Sequence, residues 1–101
     1  MAYRIDFSPE ADEHIARLRA HQRTRLLDAI ARQLTNQPMV ETRHRKPLRP
    51  NPVAQYRLRV GELRVYYDVQ QEEAPESVVV VKAVGIKVRN RVYVGGKEVQ
   101  L

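Results

Sequence analysis

Two alternating segments joined by a two-residue turn constrain this sequence more than any other feature. Residues 56–60 and 63–69 alternate apolar and polar side chains, and only Gly61–Glu62 lies between them. Alternation of this length predicts half-buried strands, and a two-residue connection containing glycine is typical of a β-hairpin. In the resulting register Arg59 lies directly opposite Arg64. One face of the hairpin is apolar, so the chain needs other elements to cover it.

The first third of the chain predicts one strand followed by two helices. Residues 3–7 alternate strictly, and residues 8–10 (Ser-Pro-Glu) are typical of a helix start. Apolar residues then recur at helical spacing, first at Ala11, Ile15 and Leu18. After a predicted break near residues 20–21, a second apolar stripe comprises Leu26, Leu27, Ile30, Ala31 and Leu34. Residues 36–38 (Asn-Gln-Pro) end this second helix.

The remaining segments complete a small mixed domain. Residues 39–54 contain three prolines and no periodicity, which predicts a loop, and residues 70–76 predict a polar, acidic loop. Residues 78–81 are all valine and predict an interior strand, while the tail can close as a small hairpin around Gly95–Gly96. We therefore expect residues 1–101 to form one α+β domain. An N-terminal strand and a two-helix hairpin would pack on one face of a mainly antiparallel four-stranded sheet, in the order β-α-α-β-β-β.

Composition excludes several classes of function. The chain has 101 residues, of which 43% are apolar and 30% charged, as is usual for a globular domain. It has no cysteine, which excludes disulfides, thiolate metal sites and cysteine nucleophiles. His14 and His21 lie seven residues apart, which is not metal-ligand spacing, so we interpret both as solvated helix residues and expect no metal or cofactor. Without a membrane-spanning or secretory segment, we expect a cytoplasmic protein that does not contact a membrane.

Positive charge is concentrated in two windows of the sequence. Residues 43–64 contain seven basic residues and one acid, and residues 82–97 contain five basic residues and no acid. Together the two windows have a formal charge of +11. Because the whole chain has a net charge of +6, the remaining residues have a net charge of −5. Segregation of this size predicts a surface for a polyanion, with nucleic acid as the first candidate. The alternative is a solvated basic surface without a partner.

Three arginines share one face of the predicted hairpin: Arg57, Arg59 and Arg64. Like charges placed opposite each other destabilise a sheet by about 0.2–1 kcal/mol per pair. A phosphate between them would relieve this repulsion, because planar guanidinium groups bind phosphate oxygens bidentately. The alternative is that the long arginine stems only cover sheet surface and keep their charged heads in water.

The second basic window adds candidates for chemistry. If residues 87–93 are extended, the odd positions share one side: Lys87, Arg89, Arg91 and Tyr93. Lysine and tyrosine beside arginines can transfer protons, whereas Tyr93 could instead stack on a base or be an ordinary half-buried sheet residue. The predicted proline-rich loop adds five residues that could contact phosphate: Arg43, His44, Arg45, Lys46 and Arg49. His44 could equally be an ordinary surface residue.

The sequence resembles the RelE/ParE toxin superfamily over nearly its whole length. The resemblance rests on residues 56–69, the arginine hairpin, and on residues 83–93, a basic segment that ends in tyrosine. The second segment is similar to the RelE-like branch. Toxins of that branch are ribosome-dependent endonucleases of type II toxin–antitoxin systems, which cut mRNA without a metal and inhibit translation. The resemblance implies five catalytic residues: Arg57, Arg59, Arg64, Lys87 and Tyr93.

The resemblance also implies a division of roles. In the family reaction a ribose 2′-OH attacks the adjacent phosphate and a 5′-OH leaves. Arg64 would stabilise the phosphorane charge, Lys87 would be the general acid, and Tyr93 would orient or deprotonate the 2′-OH. Arg57 and Arg59 stand where relatives often have lysine, and since arginine remains protonated, more of the base role would pass to Tyr93. The RNA-binding residues would be Arg43, His44, Arg45, Lys46, Arg49, Arg89 and Arg91.

The expected partners are a cognate antitoxin and the ribosome with its mRNA. A basic cleft of this kind suits an acidic, amphipathic antitoxin segment that folds on binding. Two alternatives remain: a ParE-like toxin that poisons DNA gyrase without cutting RNA, and a non-catalytic RNA-binding domain of the same fold. The ParE branch usually lacks the full basic and tyrosine set, so Lys87 and Tyr93 favour the RelE-like interpretation.

Overall fold

The structure, a computed structural model, describes residues 2–71 and 77–101, and these residues form two helices and seven strands. In chain order the elements are β1 (Arg4–Phe7), α1 (Pro9–Ala16), α2 (Ala20–Leu34), β2 (Arg45–Pro47), β3 (Tyr56–Val60), β4 (Leu63–Gln71), β5 (Ser77–Val88), β6 (Arg91–Val94) and β7 (Lys97–Val99). The predicted α+β class is confirmed. Of the loop predicted at residues 70–76, the first two residues belong to β4 and the others lie outside the described residues. None of the described helices has the length and apolar character needed to cross a bilayer.

Local sequence signals start both helices and direct one stripe of each onto the sheet. The Ser8 hydroxyl accepts a hydrogen bond from the Ala11 N–H at 3.1 Å, and Pro9 occupies the first turn. The break between the helices lies at residues 17–19, slightly before the predicted position, because α2 begins at Ala20. The two helices bury Ala11, Ile15, Leu26, Ile30 and Leu34.

The strands form one sheet in the order β2-β3-β4-β5-β6-β7, in which all neighbours are antiparallel, and β1 pairs in parallel with β5. The mainly antiparallel prediction is confirmed, but the predicted four strands are too few. Residues 39–54, predicted as a loop, contain β2, which is too short and too close to prolines to leave a detectable alternation. The C-terminal hairpin is confirmed: β6 and β7 meet at Gly95 and Gly96, both at positive φ.

The two faces of this sheet differ. The helix face carries the main core, in which α1 and α2 cover buried side chains of β3 and β4: Leu58, Val60, Leu63, Val65 and Tyr67. Among the described residues, the opposite face, here called the open face, carries a small apolar cluster of Ala54, Tyr66 and Ala83, flanked by Leu48, Val53, Val92 and Val94. Because side chains alternate along a strand, neighbouring residues of the hairpin go to opposite faces. The open face is therefore where polar residues of β3 and β4 are displayed.

Helix α1 fills a gap along one edge of β5. Pairing with β1 ends at Val81 and pairing with β6 begins at Gly85. Between these points the Ser8 hydroxyl donates to the Lys82 carbonyl at 2.9 Å, and the Val84 N–H donates to Nδ1 of His14 at 3.1 Å. The interpretation of His14 as a solvated helix residue is therefore wrong. Its ring replaces a missing strand partner, which sequence spacing does not reveal.

Candidate functional site

The hairpin register places three arginines together on the open face. Arg59 pairs directly with Arg64, and Arg57 pairs with Tyr66 two positions further along, which is the next pair on the same face. This is the register predicted from the Gly61–Glu62 turn. Since Leu58 between the two β3 arginines points into the core, Arg57 and Arg59 both project from the opposite side of the strand.

The neighbouring strands add two lysines to this face. On one side Lys46 of β2 pairs with Arg57. On the other side Arg64 pairs with Gly85 of β5, and Lys87 follows two residues later on the same face. The Lys87 N–H donates to the Glu62 carbonyl at 2.7 Å, which holds it beside the hairpin turn. We call these five residues the basic cluster: Lys46, Arg57, Arg59, Arg64 and Lys87.

The arginines of the basic cluster are not neutralised by the fold. Within residues 2–71 and 77–101, no carboxylate forms a salt bridge with Arg57, Arg59 or Arg64. Burial is the main cause that lowers the pKa of Arg57, followed by the charge of Arg59. Burial likewise lowers the pKa of Arg64; the charges of Arg57 and Arg59 add to this effect, and the charge of Glu62 opposes it. Both groups still remain protonated at ordinary pH, so the cluster keeps a net positive charge.

Hydrogen bonds to backbone carbonyls fix two of these guanidinium groups. Nη1 of Arg64 donates to the carbonyls of Gly61 at 2.7 Å and Leu63 at 2.9 Å, and this residue is only 6% exposed. Nη2 of Arg59 donates to the Arg43 carbonyl at 3.0 Å. Nε of Arg57 is buried and has no hydrogen-bond partner in the described residues.

Tyr66 lies within the basic cluster and was given no role from the sequence. It is 2% exposed and packs on Ala54 and Ala83, and burial raises the pKa of its hydroxyl despite the nearby charges of Arg64 and Arg57. It therefore supports the arginines as a neutral ring. Its position opposite Arg57 in the predicted register was the signal that could have identified it.

The expectation that residues 87–93 are extended is wrong. A tight turn at Arg89–Asn90 folds the segment back, with Arg89 at φ 60°. In the resulting hairpin Lys87 pairs with Val92, and Ile86 pairs with Tyr93. Odd positions before the turn therefore share a face with even positions after it. Lys87 joins the basic cluster, whereas Tyr93 lies on the helix face.

Tyr93 and Arg91 have surroundings that differ from those expected. Tyr93 lines a cleft of about 360 Å³ beside the first helix, together with His14, Leu18 and Ile86. Arg91 is exposed and its Nη1 lies 3.7 Å from the Glu98 carboxylate, while Arg89 is exposed on the turn. The structure therefore brings together four of the five predicted catalytic residues and separates Tyr93 from them by the thickness of the sheet.

The predicted RNA-binding residues of the 39–54 segment also divide. Arg43, His44 and Arg49 are exposed, and Arg49 lines an open cleft of about 700 Å³ formed with residues 47–56. Arg45 is 8% exposed and points to the helix face, where its Nη1 donates to the Gln33 carbonyl near the end of α2 at 2.5 Å. Arg45 thus holds α2 against the sheet. A polar partner at a helix C-terminus leaves no signal in local periodicity.

In residues 2–71 and 77–101, no group of three or more His, Cys, Asp or Glu side chains could hold a metal ion.

No curated protein matches the chain. A family model does match residues 5–90, and its description is the ParE toxin of the type II toxin–antitoxin system parDE. The match extends from β1 through the β5–β6 turn and includes the whole basic cluster. The chain therefore belongs to the ParE toxin family of type II toxin–antitoxin systems, and its partner is an antitoxin.

Proposed function

We propose that this toxin inhibits translation by cutting mRNA on the ribosome, with the RNA backbone bound across the basic cluster. The observation that carries the proposal is the set of arginines on the open face that form no salt bridge with a described carboxylate. Arg57 and Arg59 would hold the phosphates around the scissile bond, because their planar groups match phosphate oxygens. The exposed Arg43 and Lys46 would extend this contact along the backbone.

The chemistry requires charge stabilisation and two proton transfers. As the 2′-oxygen attacks the phosphorus atom, negative charge accumulates on the phosphorane oxygens, and Arg64 would stabilise it. The 5′-oxygen then leaves with a proton from Lys87, and the other product ends in a 2′,3′-cyclic phosphate. The 2′-OH proton would pass to a solvent water, because arginine cannot accept it and burial raises the pKa of Tyr66.

The missing base is consistent with dependence on the ribosome. Tyr93, the residue that the resemblance assigns to the 2′-OH, lies on the other face of the sheet from Arg57, Arg59 and Arg64. A free toxin with this arrangement would bind RNA and cleave it slowly. The ribosome would then supply the geometry of the attacking 2′-OH, while the toxin supplies phosphate binding, charge stabilisation and the leaving-group proton.

Poisoning of DNA gyrase without RNA cleavage is the second candidate function. The match to the ParE family model favours it, and so does the separation of Tyr93 from the basic cluster. In this alternative the open face would bind a nucleoprotein surface and would need no proton transfer.

Induction of the chain in cells, followed by mapping of mRNA ends, separates the two functions. The native chain should produce in-frame mRNA cleavage, and Arg64→Ala should reduce it about 100-fold, as expected for loss of one group that stabilises transition-state charge. Arg32→Ala is the matched control, because this arginine is exposed on α2 away from the cluster. Growth arrest with DNA damage and intact mRNA would instead establish the gyrase alternative. Tyr93→Phe should retain cleavage, because its hydroxyl lies on the other face of the sheet, and loss of cleavage in this variant would contradict that expectation.

A further inference from the structure

We infer that Arg25 of α2 is a positioning residue for the basic cluster, although it lies outside that cluster. It would hold the Gly61–Glu62 turn so that Arg64 and Lys87 keep the geometry needed to bind an RNA phosphate. This inference deepens the proposed function and rests on it. It follows from contacts that link a helix on one side of the sheet to the cluster on the other.

The turn fixes two members of the basic cluster through its own carbonyls. The Gly61 carbonyl accepts from Nη1 of Arg64 at 2.7 Å, and the Glu62 carbonyl accepts from the Lys87 N–H at 2.7 Å. A small displacement of this turn would therefore move the guanidinium of Arg64 and the backbone of Lys87 together. The position of the turn therefore sets the distance between the Arg64 guanidinium and the Lys87 backbone.

Arg25 contacts both residues of the turn. Its Nη1 lies 3.7 Å from the Glu62 carboxylate, and its guanidinium lies against Gly61 so closely that a Cβ built there would be 2.8 Å from Cζ. Gly61 has φ 59°, so glycine is needed at this position both for the backbone and for the close approach. A planar guanidinium fits against a bare peptide, whereas a lysine ammonium would not.

The same contact contributes little to stability. The side chains of Arg25 and Glu62 are 55% and 43% exposed, and exposed ion pairs of this kind have small effects on the free energy of unfolding. Loss of Arg25 should therefore leave the chain folded. Its effect should appear in the function of Arg64, which distinguishes a positioning residue from a structural one.

A double-mutant cycle tests the inference with the full chain and a fluorescently labelled single-stranded RNA oligonucleotide. Binding is measured by anisotropy for the native chain, Arg25→Ala, Arg64→Ala and the double variant, and thermal unfolding is measured in parallel. We expect Arg25→Ala to weaken RNA binding about fivefold with an unchanged unfolding midpoint. In the Arg64→Ala background the same change should cost less than about twofold, because the group that Arg25 positions is gone.

Two control variants separate position from charge. Arg32→Ala removes one positive charge from the same helix without touching the turn and should change affinity less than about twofold. Arg25→Lys keeps the charge and should lose most of the affinity that Arg25→Ala loses. Equal effects of Arg25→Ala and Arg32→Ala, or additive effects of Arg25→Ala and Arg64→Ala, would overturn the inference alone. If Arg64→Ala binds RNA normally, this inference fails, whereas the proposed function fails only if Arg64→Ala also leaves mRNA cleavage in cells unchanged.

Discussion

The two faces of the β3–β4 hairpin are built from the same strands but have different roles. On the helix face, Leu58 and Val65 pair with each other and are fully buried under α2. On the open face, the next pair along consists of Arg59 and Arg64, two like charges placed directly opposite each other. Both side chains of this first pair are apolar, and their burial stabilises the fold. The second pair carries a repulsion, and neither arginine forms a salt bridge with a described carboxylate.

This difference separates what stabilises the domain from what it does. Alternation sends successive residues of one strand to opposite faces, so a single short strand can contribute both to the core and to the site. The core needs only apolar volume, whereas the open face holds charges at a cost to the fold. We interpret that cost as a consequence of function, and we expect substitutions on one face to leave the role of the other face unchanged.

The largest expected effect is on the helix face. Leu58→Ala should lower the free energy of unfolding by about 3 kcal/mol, because it leaves a cavity beneath α2. Urea denaturation measures this loss. Where the variant remains folded, its affinity for single-stranded RNA should equal that of the native chain. A weaker affinity in the folded variant would show that the two faces are coupled rather than separable.

The turn between the two strands should show a smaller effect, on both stability and function. Gly61→Ala places a side chain at φ 59° and should cost about 1–2 kcal/mol in the free energy of unfolding. Gly96→Ala is the matched control, since Gly96 has φ 82° and open space around it. Both variants should lose stability, but only Gly61→Ala should also weaken RNA binding by anisotropy, because it displaces Arg25. Equal affinities of the two variants would contradict this.

The sequence is informative about the first hairpin and misleading about the second. Gly61 marks the first turn, and strict alternation on both sides fixes the pairing of Arg59 with Arg64. The turn at Arg89–Asn90 contains no glycine and places an arginine at φ 60°, so the segment has the pattern of one continuous strand. Asn90 is the only turn-forming residue there, and by itself it is too weak a signal to reveal that the alternation is inverted. This is why Tyr93 was expected beside Lys87 and lies on the other face.

Tertiary contacts account for most of the other differences. In the sequence, Arg45 and His14 have the pattern of ordinary exposed residues. In the structure, Arg45 donates to a carbonyl near the end of α2, and His14 accepts from a β5 amide. Each satisfies a backbone group that secondary structure leaves unpaired. Sequence patterns predict which residues face the core, but they do not predict which backbone groups lack partners. Those depend on where strands end in three dimensions.

Removing one charge of the opposed pair should raise stability slightly. Arg59→Gln should increase the free energy of unfolding by about 0.2–1 kcal/mol at low salt, and added salt should narrow the difference. The same variant should cleave less mRNA in cells. Arg32→Gln is the control of opposite sign, because it removes an ion pair with Asp28 on α2 and should lower stability slightly. A loss of stability in Arg59→Gln would mean that its bond to the Arg43 carbonyl outweighs the repulsion.

The smallest expected effect concerns the pH dependence of stability on the helix face. Burial, followed by the charge of Arg17, lowers the pKa of His14 below its ordinary value of 6.5, while Glu13 and Glu10 oppose this shift. As the pH falls through about 6.5, the unfolded chain takes up a proton at His14 before the folded chain does. The free energy of unfolding should therefore decrease from this pH down to the folded pKa.

His14→Gln isolates this contribution. Urea denaturation at about pH 7.5 and about pH 5.5 should show a smaller difference between the two conditions in the variant than in the native chain. Carboxylates that titrate in the same range contribute to both proteins and cancel in the comparison. His21→Gln, at an exposed position of α2, is the matched control and should retain more of the native chain's difference in the free energy of unfolding between the two pH values.

RNA binding should not depend on His14 at either pH, because its ring lies across the sheet from the basic cluster. A loss of RNA binding in His14→Gln would show that the hydrogen bond of His14 to β5 affects the geometry of the basic cluster on the open face.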